Sequence, residues 1–211
     1  MVVLKGNKMK VILHLCADIG SDSKIWSDNG YEVIRVGKDI GVENFNYSGE
    51  VYGIISNPVC LEFSTARSNG KARNPEDGML LVRHCQRVIR ECNPDWWYIE
   101  NPARGVLKNY LGKPDYKYEP WWFGSPWSKE TALWGNFNIP KRLYDNWQDV
   151  PKNNKLYIRP TREKPSLAFM HKSAIDKIEE FTCFKDKVSD DMSFRSLCSQ
   201  KFAQAFFEAN Q

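Results

Sequence analysis

Short apolar runs separated by turn-forming segments dominate the first half of the chain. "KVILHLC" (10–16) is apolar with β-branched character and is followed by the turn-rich "ADIGSDS" (17–23), which predicts a buried strand. "SKIWSDNG" (23–30) predicts a short helix closed by Gly30, and "YEVIRVG" (31–37) a second strand. "EVYGIIS" (50–56) supplies another strand. Strand, glycine-containing turn, helix, strand is the opening of a Rossmann-like α/β fold, a mostly parallel twisted sheet with helices on both faces.

Further along, Asn74 reads as an N-cap and Pro75 as the first helical position, with Leu81, Cys85, Val88, Ile89 and Cys92 recurring on one face of a helix. "DWWYIEN" (95–101) follows as a strand that Pro102 stops. "KYEPWWFG" (117–124) and "TALWGNF" (131–137) are candidate strands, the second paired antiparallel with its neighbour. Between 138 and 190 the periodicity fades into segments such as "PKNNKLYIRPTREKPS", an excursion from the core. "SFRSLCSQKFAQAFFEAN" (193–210) then places Leu197, Cys198, Phe202, Ala205, Phe206 and Ala209 on one face of a returning amphipathic helix. The pattern is that of a single compact domain, 1–211, with a small excursion at 138–190.

Composition narrows the classes without selecting one. The 211 residues are 42% hydrophobic and 27% charged, enough to bury a core. Thirty basic against 26 acidic residues leave a net charge of +4, which permits a polyanionic partner without demanding one. The six cysteines form no CxxC pair and no zinc-like Cys/His spacing, so no metal site is expected and a reduced, cytoplasmic setting fits. The N-terminal apolar run is too short for a signal peptide or a membrane span. Met9 offers a second start, with residues 1–8 as a leader.

Candidate chemistry concentrates at three strand ends. In an open parallel sheet, ligands bind outside the carboxyl ends of the strands, where loops and helix N-termini converge. "ADIGSDS", "NPVCLEFS" and "ENPARG" all fall at such ends. Cys60 alone is as well explained as a buried structural thiol, and Glu100 alone as a capping or solvated carboxylate. Paired, they suit attack on a pyrimidine: a thiolate adds to C6 while a carboxyl group hydrogen-bonds N3, so that electron density reaches C5.

These residues carry a family resemblance. "NPVCLEFSTAR" resembles the Pro-Pro-Cys loop of DNA cytosine-5 methyltransferases, and "IENP" (99–102) resembles their Glu-Asn-Val segment, as found in short phage-type members. The resemblance covers roughly residues 10 to 137. It implies methyl transfer from S-adenosylmethionine to C5 of cytosine in DNA, with Cys60 as nucleophile, Glu100 protonating or hydrogen-bonding N3, and Asn101 supporting the loop. "LCADIGSDSK" is similar to the family's first motif, which implies cofactor contacts from Cys16, Asp18, Ile19 and Gly20, joined by Asn57 and Pro58 of the cysteine loop. "GSPWSKETALWGNF" resembles a later hairpin whose basic side chains hold the cysteine loop, here Lys129, and "RSLCSQKFAQAF" resembles a C-terminal helix beside the cofactor pocket. Asp39, just past the second strand, is the candidate ribose ligand.

Three positions depart from the family pattern: Val59 replaces the loop's second proline, Asp18 stands where glycine is frequent, and "WSKET" lacks the usual Gln and paired Arg. There is little room for a large target-recognition domain. RNA or a free cytosine nucleotide is therefore carried as an alternative substrate, and a catalytically silent binding relative as an alternative class. Arg67, Lys71 and Arg73 are candidate phosphate contacts, and Trp121, Trp122 or Trp127 candidate platforms for an extruded base. His14 and His84 are not assigned acid or base roles. Oligomeric state is left open by the sequence.

Overall fold

The computed structural model describes residues 9–64 and 74–211. Arg67, Lys71, Arg73 and the leader 1–8 lie outside the described residues. Among the described residues, six strands form one sheet: β1 (Val11–Leu15), β2 (Glu32–Val36), β3 (Gly53–Ser56), β4 (Trp96–Pro102), β5 (Tyr116–Tyr118) and β6 (Thr131–Asn136). Their order is β2-β1-β3-β4-β6-β5, with the first four parallel and β6 antiparallel to both of its neighbours. The mixed α/β class expected from the sequence is the class observed.

Alternation along the strands divides the core in two. Val11, Leu13 and Leu15 of β1, with Ile54 and Ile99, face α2 (Pro75–Cys92) through Met79, Val82, Cys85, Val88 and Ile89. Ile12, Ile55, Trp96 and Tyr98 point the other way, onto Trp26 of α1 (Lys24–Asp28) and Phe202, Phe206 and Phe207 of α5 (Gln200–Asn210). Helices thus cover both faces, as full burial of a parallel sheet requires. A short helix α3 (Lys108–Leu111) follows β4.

On the α5 side the core is aromatic. Trp96 stacks on Trp26 with ring centroids 4.8 Å apart, and Gly53 lies directly beneath the Trp96 indole. A Cβ at Gly53 would come within 2.1 Å of that ring, which is buried and pinned on its other side. Gly53→Ala should therefore destabilise the protein by roughly 1–3 kcal/mol through overpacking, read as a lower urea midpoint; an unchanged midpoint would show that the indole has room to shift.

Two expectations are corrected. "KYEPWWFG" is a strand only up to Tyr118; Pro120, with φ fixed and no N–H to give a ladder, opens a 3-10 turn over Pro120–Phe123. The C-terminal helix is interrupted: α4 (Asp191–Ser196) ends at extended Leu197, and α5 restarts at Ser199, whose hydroxyl accepts the Phe202 N–H at 3.1 Å.

Segment 138–190 contains 3-10 turns in place of regular helices or strands. Leu156, Leu167, Met170, Ile175, Ile178, Phe181 and Phe184 from this segment gather with Trp127, Phe194 and Leu197 into a third buried cluster. A backbone bridge between Ser128 and Ser166 ties the segment to the residues just before β6.

Candidate active site

β2 and β3 flank β1 on opposite sides, so the chain changes its direction of travel across the sheet at β1. A crevice opens at such a switch point, outside the carboxyl ends of the strands. The loop after β1 (16–23), the loop after β3 (57–64) and the end of β4 all reach this edge.

The cysteine loop is anchored by features that spare the sulfur. Cys60 C=O accepts the N–H groups of Phe63 (3.0 Å) and Ser64 (2.8 Å), closing a tight turn. Phe63 is fully buried, and its carbonyl accepts the Val106 N–H at 2.9 Å beyond β4. Asn101, itself buried in β4, donates its Nδ2 to the Pro58 carbonyl at 3.1 Å. The strand that carries Glu100 therefore holds the loop that carries Cys60. Cys60 is half-buried between Val59 and Leu61, both exposed.

The electrostatics of the pair are mutual. Burial, and then the charge of Glu100, push the Cys60 thiol above its ordinary range, while the Lys129 charge pulls it down. Burial likewise raises Glu100; Lys129 opposes this, Asp22 adds to it, and a hydrogen bond from Asn57 opposes it. Glu100 is thus an acid that holds its proton above the usual carboxylate range, beside a thiol whose ionisation that proton favours.

Asn57 lies in this network: its Nδ2 donates to Asp22 Oδ1 at 3.1 Å and to Glu100 Oε2 at 3.4 Å. Its Oδ1 pairs with His14 Nε2 at 2.9 Å, and His14 Nδ1 pairs with the Ser23 hydroxyl at 2.8 Å. Ser21 donates to Asp22 Oδ2 at 3.1 Å. Sequence reading missed His14 and Asp22. His14 looked like one more residue of an apolar strand, and only its place on the α5-side face of β1, opposite "SNP", could have marked it.

The remaining candidates divide between the two sides of β1. Asp18 and Asp39 line a cleft of about 300 Å³ together with Ala17, Arg35, Gly37 and Lys38 at the ends of β1 and β2. Asp18 Oδ1 accepts the Lys38 N–H at 3.0 Å, and its Oδ2 meets Lys38 Nζ at 3.1 Å. A Cβ on Gly37 would lie 2.9 Å from Asp39 Oδ1 and 3.1 Å from Asp18 Oδ1, so both carboxylates converge on a position kept bare. Gly20 has φ +81° and Cys16 φ +58°, the left-handed region that shapes this loop. Arg35 spans the loop by donating to Ile19 C=O at 3.1 Å. Cys16 Sγ lies 3.8 Å from Cys85 Sγ, turned toward α2.

Among the described residues, no hydrogen bond from Lys129 reaches the cysteine loop. Its Nζ donates to the carbonyls of Ser196 (3.3 Å) and Leu197 (3.2 Å), bracing the break between α4 and α5, and it acts on Cys60 and Glu100 through its charge. Trp127 cannot serve as a base platform: it is fully buried, with its indole N–H given to Glu180 at 3.0 Å. One face of Trp122 is covered by the Arg142 guanidinium, 3.3 Å from the ring centroid. Trp121 is half-buried beside Trp122 and Trp147.

Among the described residues no group of three or more His, Cys, Asp or Glu side chains could hold a metal ion, and no helix is long and apolar enough to cross a membrane. No protein-family model matches the chain, and no curated protein matches it. Among solved structures, one similar chain is a crystal structure described as a candidate DNA modification methyltransferase encoded within a prophage (E. coli). It aligns with a TM-score of 0.49 and 16% identity, over 72% of this chain and 56% of that one. The chain thus spans just over half of that neighbour's length.

Proposed function

We propose that the protein transfers a methyl group from S-adenosylmethionine to C5 of cytosine in DNA through a covalent bond between Cys60 and C6. The observation that carries this reading is the tie between Asn101 and Pro58, which holds the cysteine loop against the strand bearing Glu100. Neither folding nor simple binding calls for a half-buried thiol and a proton-retaining carboxyl group coupled at one strand end. The likeness of "NPVCLEFSTAR" and "IENP" to the cytosine-5 methyltransferase loops supplies the reaction that such a pair performs.

The residues divide the chemistry between them. Cys60, as thiolate, adds to C6, and Glu100 gives its proton to N3, so the ring gains no net negative charge and C5 becomes nucleophilic. The cofactor, when bound, supplies a methyl group on a positively charged sulfur that C5 can attack. Transfer of the C5 proton to solvent water and expulsion of the Cys60 thiolate restore the aromatic ring, and N3 returns its proton to Glu100. In a duplex, C6 is shielded by stacking, so the base must leave the helix to reach Cys60.

The cleft at the ends of β1 and β2 suits the cofactor. Asp39 offers a carboxylate to ribose hydroxyls about 20 residues after the turn glycine, the spacing used by dinucleotide folds. The resemblance assigns Asp18, Ile19 and Gly20 to the methionine part of the cofactor, and a side chain at Gly37 would crowd both the Asp18 and Asp39 carboxylates.

Labelled methyl transfer to DNA, RNA and dCMP in parallel, in the presence of the cofactor, tests the reading. Label on DNA at cytosine C5 is expected. Label on RNA or dCMP alone would move the substrate to the alternative class, and label at a cytosine nitrogen would exclude the Cys60 adduct.

A further inference from the structure

We propose that His14 and Asp22 are positioning residues for Glu100, acting through the Asn57 amide that joins them, so that Glu100 Oε1 is the oxygen presented to the substrate base. The purpose assigned to Glu100 rests on the cytosine reading; the positioning rests on the geometry of this chain.

Three side-chain hydrogen bonds, with a fourth between His14 and Ser23 behind them, fix Asn57 in one orientation. Both protons of Nδ2 are committed to carboxylate oxygens, at 3.1 Å on Asp22 and 3.4 Å on Glu100. The Asn57 carbonyl oxygen can only accept, so His14 Nε2 carries the proton in their 2.9 Å bond. His14 Nδ1 is then an acceptor and takes the Ser23 hydroxyl proton at 2.8 Å. Flipping the amide would set its oxygen against the Asp22 carboxylate at 3.1 Å with no proton between them. His14 is fully enclosed, and burial keeps its pKa low, so it stays the neutral tautomer this chain of bonds needs. The four groups come from separate places: β1, the loop after it, the loop after β3, and β4.

Two consequences follow for Glu100. Its Oε2 is engaged by an N–H donor, which leaves the acid proton to Oε1, an atom with no hydrogen-bond partner among the described residues. The charge of Asp22 favours a proton on Glu100, while the Asn57 bond opposes one, so removing each should move Glu100 in opposite directions. The other titratable groups acting with Glu100 are Lys129 before β6, Cys60, Tyr98 in β4, Tyr118 in β5 and Cys198 before α5. None of them bridges Asn57.

The test follows the Glu100 carboxyl resonance in protein carrying ¹³C-labelled glutamate, assigned with Glu100→Gln, across pH in wild type, Asp22→Asn, His14→Leu and His14→Gln. Asp22→Asn should lower the Glu100 midpoint. His14→Leu, which frees the amide, should raise it and reduce methyl transfer by roughly 10- to 100-fold through misplacement of the acid. His14→Gln, whose side-chain NH2 can replace the Nε2 donor, should restore both. Thermal unfolding of each variant separates loss of fold from loss of position. An unmoved Glu100 midpoint in folded Asp22→Asn and His14→Leu would overturn the proposal. Midpoints that move as stated in a wild type that methylates no cytosine would uphold the positioning and refute the cytosine reading.

Discussion

Cys60→Ser should abolish methyl transfer, by on the order of 10⁴-fold or more as expected for loss of a covalent nucleophile, while leaving fold and cofactor binding intact. A serine hydroxyl needs a base to become nucleophilic, and the neighbouring carboxyl group is the acid of the same step. The loop loses no anchor, because it is held by the turn on the Cys60 carbonyl, by buried Phe63 and by the Asn101 to Pro58 bond. Circular dichroism and calorimetric titration with S-adenosylmethionine should match wild type. Residual transfer within tenfold of wild type would remove Cys60 from the chemistry.

Glu100→Gln should lower the rate by roughly 10²- to 10⁴-fold, the usual contribution of a positioned general acid, and should change the pH profile. The reactive form carries one proton for the pair, on Glu100 and not on Cys60. At low pH both groups are protonated and the thiol is inert; at high pH both are ionised and no acid remains. The wild-type profile should therefore rise through the Glu100 midpoint, displaced above the ordinary carboxylate range by burial, and fall through that of Cys60, displaced upward by burial and by Glu100. Glutamine keeps the shape and an N–H donor but has no proton to give or lose, so the high-pH falling limb should vanish, leaving a single rise through the Cys60 midpoint. With the carboxylate charge gone, the Cys60 thiol should ionise at lower pH, read by its rate of alkylation. An unchanged limb would assign it to another group.

The residues that announce the site are those whose chemistry is local. "NPVCLEFS" and "ENP" are legible because a proline-bounded cysteine and a strand-end carboxylate stand out from their surroundings, and because apolar runs of the right length reveal β1, β3 and β4 as strands. Strand order is not local. The insertion of β6 between β4 and β5 is decided by side-chain packing on both faces, and no periodicity encodes it. The break at Leu197–Ser199 is equally hidden: Cys198 N–H donates to Ser21 Oγ, and Ser199 pairs with Ser125, partners far away in sequence that outcompete a helical pattern. His14 and Asp22 were silent for the same reason, since their roles depend on Asn57, more than 30 residues away.

The most direct measurement is incubation of the protein and S-adenosylmethionine with DNA containing 5-fluorocytosine, followed by denaturing electrophoresis and mass spectrometry of the adduct. Fluorine at C5 cannot leave as a proton, so the sequence of bonds proposed here should halt after methyl transfer. The expected result is a denaturant-resistant, cofactor-dependent complex whose modified peptide carries the nucleotide on Cys60, absent in Cys60→Ser. Methylation of ordinary DNA with no trapped complex, or a complex that persists in Cys60→Ser, would contradict the covalent account.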